Sequence, residues 1–89
     1  MGIVMVKLKV MPVSPEVNKD ELSAKIKETV ESMDIICRNI EVEPLAFGLY
    51  AVFPLIEMEE KEGGTEPVEE ALANLDDVES VESVEVSLV

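Results

Sequence analysis

Histidine is absent from this 89-residue chain, and so is tryptophan. The first absence removes the commonest general base and the commonest metal ligand together. Cysteine occurs once, as Cys37, so no internal disulfide can close, and the chain suits a reducing interior. Aromatic residues number three: Phe47, Tyr50 and Phe53. Bases are scarce as well. Seven Lys and Arg face 20 Asp and Glu, a formal net charge of −13, and from Asn39 onward Lys61 is the only base. A nucleic-acid binder driven by phosphate contacts is thereby excluded, because it needs clustered cations. An anionic membrane surface is disfavoured for the same reason. No apolar run is long enough to cross a bilayer, and the first residues do not read as a signal peptide. The expectation is a cytoplasmic protein.

What is present is enough for a fold. Hydrophobic residues make up 47% of the chain, which suits one small domain over residues 1–89 with one core. Ile3 to Met11 reads as a strand: Val4, Val6, Leu8 and Val10 share a face, and the other face turns polar at Lys7 and Lys9. Pro12 ends it. Asn18 with Glu21 three residues on marks a helix start, and Leu22, Ile26, Val30 and Met33 recur at helical spacing. Ile36 to Pro44 is a second strand, with Ile36, Arg38, Ile40 and Val42 on one parity and Glu41 and Glu43 on the other. Leu49 to Met58 is a third, apolar at both parities, in which Pro54 needs a bulge or an unpaired position. Thr65 is placed to cap a second helix carrying Val68, Leu72 and Leu75. Val78 to Val89 is the last strand, and the three-residue spacing of Val78 and Val81 implies a bulge or an irregular turn at its start.

The order β-α-β-β-α-β predicts an α+β, ferredoxin-like plait: a four-stranded antiparallel sheet with both helices on one face. Lys7, Lys9, Glu41 and Glu43 should line the open face. This fold hosts many functions, so the missing chemistry matters. An RNA-binding version requires aromatics on the central strands, where Lys7 and Lys9 stand instead. A metal carrier requires paired thiols near the first loop, and Cys37 is alone. An acyl-phosphate hydrolase requires an anion cradle after the first strand, but Pro12 to Glu16 holds neither glycine nor cation. The carboxylates Glu57, Glu59, Glu60 and Glu62 lack the spacing of a calcium loop. No nucleophile–base pair is visible. The chain therefore reads as a non-enzyme, with no cofactor and no resident metal.

One stretch does not fit a purely structural role. Glu43 to Tyr50 joins the second and third strands, and its tip, Ala46-Phe47-Gly48, has no polar side chain. A turn that faces water is normally polar. An apolar tip either folds back onto the core or is kept for a partner.

The turn Glu43-Pro44-Leu45-Ala46-Phe47-Gly48-Leu49-Tyr50, the first strand, the acidic Glu57-to-Glu62 loop and the valine-rich last strand together resemble the elongation factor 1-beta family, in its short archaeal form. The most specific motif is Pro-x-x-Phe-Gly, met by Pro44, Phe47 and Gly48. The resemblance implies a guanine-nucleotide exchange factor whose partner is the elongation factor 1-alpha GTPase. It further implies that Phe47 inserts near the nucleotide site and that Gly48 lets the turn bend. Pro44, Leu45, Tyr50, Leu88 and Val89 complete the implied partner surface. Eukaryotic relatives follow the glycine with two lysines, where this chain has Tyr50 and Ala51. They also place a lysine next to the C-terminal residue to disturb magnesium, where this chain has Leu88 before Val89. Two other readings of the residues stay open. One is a regulatory domain of the same plait that binds an amino acid, which usually keeps a glycine in the loop replaced here by Pro12 to Val17. The other is an acidic interaction module.

Overall fold

The computed structural model describes residues 2–59 and 64–88. Its elements are β1 (Ile3–Pro12), α1 (Lys19–Ser32), β2 (Ile36–Pro44), β3 (Tyr50–Glu59), α2 (Glu66–Ala73) and β4 (Val78–Leu88). The strands form one antiparallel sheet in the order β2-β3-β1-β4. The fold is the plait read from the sequence. The central strands pair Val4, Val6 and Val10 of β1 with Met58, Ile56 and Val52 of β3, so those side chains share the face under the helices. Together with Leu8 they are buried there against Leu22, Ile26 and Val30 of α1 and Val68 and Leu72 of α2.

Local chemistry sets the ends of α1. Asn18 Oδ1 accepts the N–H groups of Asp20 and Glu21 at 2.9 and 3.1 Å, which satisfies donors the helix leaves free. At the other end Asp34 takes the left-handed conformation, φ 61°. The N–H of Ile35 reaches Val30 C=O, and that of Asp34 reaches Glu31 C=O. This is the pattern that glycine usually terminates. Here an aspartate holds it, which is why composition did not reveal it. Thr65 departs from expectation. It stands at the cap position and its carbonyl accepts the Glu69 N–H, but its side chain makes no bond to the backbone of α2, and its hydroxyl instead donates to the Glu69 carboxylate at 2.8 Å. The helix also stops before Leu75, which packs half-buried in the following turn.

Three irregularities re-aim side chains. Pairing of β2 with β3 skips Arg38, placing Ile36 opposite Glu57 but Ile40 and Val42 opposite Pro54 and Val52. Ile36 is therefore on the open face, not on the parity of Ile40 and Val42, because a bulge inverts every later residue. Pro54 falls where the β1–β3 ladder lapses between Lys7–Leu55 and Val10–Val52, a place where its missing N–H costs nothing. β4 bulges at Glu79 and again at Val84, two places rather than one near its start. On the open face Glu41 and Glu43 lie opposite Phe53 and Ala51. The Lys7 ammonium sits 5.2 Å from the centre of the Phe53 ring, within reach of a cation–π attraction.

Candidate functional site

The turn between β2 and β3 is built from its own backbone. The ladder runs to its base, where Pro44 lies opposite Tyr50. Above that pair the N–H of Leu45 donates to Leu49 C=O at 2.7 Å, and the N–H of Leu49 donates to Ala46 C=O at 3.2 Å. The two residues at the tip, Phe47 and Gly48, both have positive φ, 61° and 77°. At glycine this is free of steric cost. At phenylalanine it costs on the order of 1 kcal/mol, because Cβ approaches the following carbonyl oxygen.

That strained residue is also the most exposed large apolar side chain described. Phe47 is 95% accessible, and Pro44, Leu45, Ala46 and Gly48 around it are exposed as well. The ring does not fold back over its hairpin. Beside the turn lies a shallow hollow of about 320 Å³, with Val42, Leu45 and Leu49 on the hairpin side and Lys19 on the α1 side. An exposed ring next to an apolar hollow is a surface that gains by being covered, through removal of apolar area from water.

Tyr50 is placed differently from the rest. Its ring is buried, 8% accessible, and its hydroxyl donates to Val17 C=O at 2.6 Å. The partner surface inferred from the sequence included Tyr50, which shows only a small part of its surface, in the hollow beside the turn. It ties the foot of the turn to the segment entering α1. Its parity with Val52, Pro54 and Ile56 was the available signal, since those residues point inward. Burial and, secondarily, the carboxylate of Asp77 push its phenol above the ordinary value.

Leu88 is 71% exposed. Its register partner is Val4, whereas the turn lies beyond the Val10–Val52 pair. Six strand residues separate those positions, roughly 20 Å, so the structure does not bring Leu88 together with Phe47. Leu88 and Val86 share the helix face of the sheet, but α2 leaves them exposed. Val89 lies outside the described residues, as do Glu60 and Glu62 of the acidic loop. Cys37 is half-buried against the core, and burial raises its thiol. Among the described residues no helix is long and apolar enough to cross a membrane.

A family model, the EF-1 guanine nucleotide exchange domain, matches residues 5–89. The chain is similar to elongation factor 1-beta of Methanocaldococcus jannaschii, 62% identical over 88 residues and 99% of each chain. It is 60% identical to elongation factor 1-beta of Methanococcus maripaludis over 89 residues, the whole of both. Identity to the Natronomonas pharaonis elongation factor 1-beta is 43%, again over the whole of both chains. Among solved structures, the C-terminal domain of the MgtC protein from Mycobacterium tuberculosis superposes with a TM-score of 0.69 at 18% identity, over 99% of this chain and 89% of that one. The ACT domain of the GTP pyrophosphokinase of Chlorobium tepidum gives 0.67 at 14% identity, over 96% and 90%. These two likenesses show the fold alone.

Proposed function

The chain belongs to the EF-1 guanine nucleotide exchange family, and from that premise we propose that it speeds GDP release from the elongation factor 1-alpha GTPase by pressing Phe47 into that protein near its nucleotide site. One observation supports this reading above the others: the aromatic at the tip of the turn, Phe47, stands 95% exposed, in a backbone conformation that carries a cost. Unfavourable geometry at an exposed position gives nothing back to the isolated chain, so its compensation lies in a partner.

The physics is that of linked equilibria. A factor that binds the nucleotide-free GTPase better than the GDP-bound form must, by reciprocity, weaken GDP binding in the complex. A buried aromatic anchor contributes roughly 2–4 kcal/mol to such a contact. Pro44, Leu45 and Gly48 shape the turn and flank the ring. Leu88, at the far end of the sheet, is a second contact, and Val89, which follows it in the sequence, belongs to the same reading. There it offers apolar area rather than the cation of eukaryotic relatives, so any disturbance of the partner's magnesium comes from elsewhere. The plait shared with the ACT domain does not by itself favour amino-acid binding, and the loop Pro12 to Val17 holds no glycine.

The test is release of a fluorescent GDP analogue from elongation factor 1-alpha. Wild-type chain accelerates it, and Phe47→Ala, folding normally, loses most of that effect, on the order of 30-fold or more. Full activity in Phe47→Ala would remove the wedge from the account. No acceleration by wild type at stoichiometric excess would remove the partner.

A further inference from the structure

We propose that Tyr50 is the positioning residue of the turn: its hydroxyl, bonded to Val17 at the entrance of α1, fixes the direction in which Phe47 is presented. The inference rests on Phe47 being the group that enters the GTPase. Phe47 has almost no packing of its own to hold it. The two hydrogen bonds inside the turn set its shape but not its tilt against the body of the protein. On one side the turn continues into β2, an edge strand that is largely exposed. On the other side it continues into Tyr50, the first residue of β3 and buried. The phenol therefore adds a side-chain tie from the foot of the turn, where the β2–β3 ladder ends, to the segment entering α1.

The far end of that connection is itself held. Val17 N–H donates to Ser14 C=O, and the next residue is the cap Asn18. Two sets of charges surround the phenol. Lys19 faces the hollow on the turn side, and Glu16, Glu21 and Asp77 line the hollow beside Val17. Asp77 is anchored in turn, its carboxylate to Lys25 at 2.6 Å and its carbonyl to Val13 N–H. Among the described residues the phenol bonds to Val17 alone. Phenylalanine would fill the same space without that bond, so packing and positioning can be separated.

The experiment compares wild type, Tyr50→Phe and Phe47→Ala. Amide hydrogen exchange of the chain alone should quicken at Leu45 and Leu49 in Tyr50→Phe and stay unchanged along the β1–β3 ladder. With GDP-loaded GTPase, the maximal release rate at saturating Tyr50→Phe should fall about tenfold, as misdirected groups do, while the half-saturating concentration changes little. Unchanged turn amides and an unchanged release rate in Tyr50→Phe would overturn the inference. The wedge reading would then still stand, provided Phe47→Ala is inactive. An active Phe47→Ala would end both. If Tyr50→Phe does not fold, 3-fluorotyrosine decides the matter, because Tyr50 is the only tyrosine and fluorine lowers the phenol's pKa. Burial and Asp77 raise Tyr50 above its ordinary value in the fold. The bond is therefore intact below the ordinary range and is lost as pH rises through the folded value. Loss of exchange activity should follow tyrosinate absorbance and move to lower pH with the fluorinated chain. An alkaline limb that does not move with fluorination would refute the assignment.

Discussion

At Phe47 stability and the proposed function pull apart. The side chain is exposed, so removing it forfeits little burial, while its left-handed backbone carries a steric cost. Phe47→Gly relieves that cost, and against it stands the extra freedom glycine gains in the unfolded chain. The two terms are similar in size. The expected change in unfolding free energy is within about 1 kcal/mol of zero, although exchange activity disappears. Urea denaturation beside the GDP-release assay checks this. A loss of several kcal/mol would show that the ring contributes to the core after all. Gly48 differs, since a Cβ there meets no atom within 4 Å. Its constraint is the dihedral angle rather than space.

At the level of elements, the two helices start in different ways, and their first residues should respond differently to substitution. Asn18 accepts two backbone N–H groups of α1, so Asn18→Ala should cost about 1 kcal/mol. The Thr65 side chain bonds only the Glu69 carboxylate among the described residues, so Thr65→Ala should stay within about 0.5 kcal/mol of wild type. Chemical denaturation of the two variants measures the difference, and equal losses would mean that Thr65 caps its helix in solution. The same elements explain why the chain keeps exposed apolar residues at its far end. α2 is eight residues long and buries Val68 and Leu72. Thr65, just before its first turn, lines a hollow with Val86 and Leu88, and the helix leaves those two exposed on the face it packs against.

Across the whole molecule the dominant quantity is a net charge of −13. Opposite charge on a partner raises the encounter rate, and salt screens that attraction. Glu41 and Glu43 stand on the strand that leads into the turn, so the field extends to the proposed contact. Association with the GTPase, followed by stopped flow, should slow by about tenfold between low and high ionic strength, with the dissociation rate changing less. An association rate indifferent to salt would leave the charge a matter of solubility.

The sequence by itself determined the element order, because alternation in β1 and the three-to-four-residue spacing of Leu22, Ile26 and Val30 are local patterns that only one face of a strand or helix satisfies. It also determined where the unusual turn lies, since an apolar tip between two strands is visible in the residue types alone. The tertiary structure decided the rest. A bulge at Arg38 set which face Ile36 takes, and a bulge is a property of two paired strands rather than of one. Burial of Tyr50 and its bond to Val17 depend on two segments 33 residues apart meeting. The outward stance of Phe47 follows from a left-handed backbone at a residue that seldom adopts it, which a phenylalanine in a sequence does not announce.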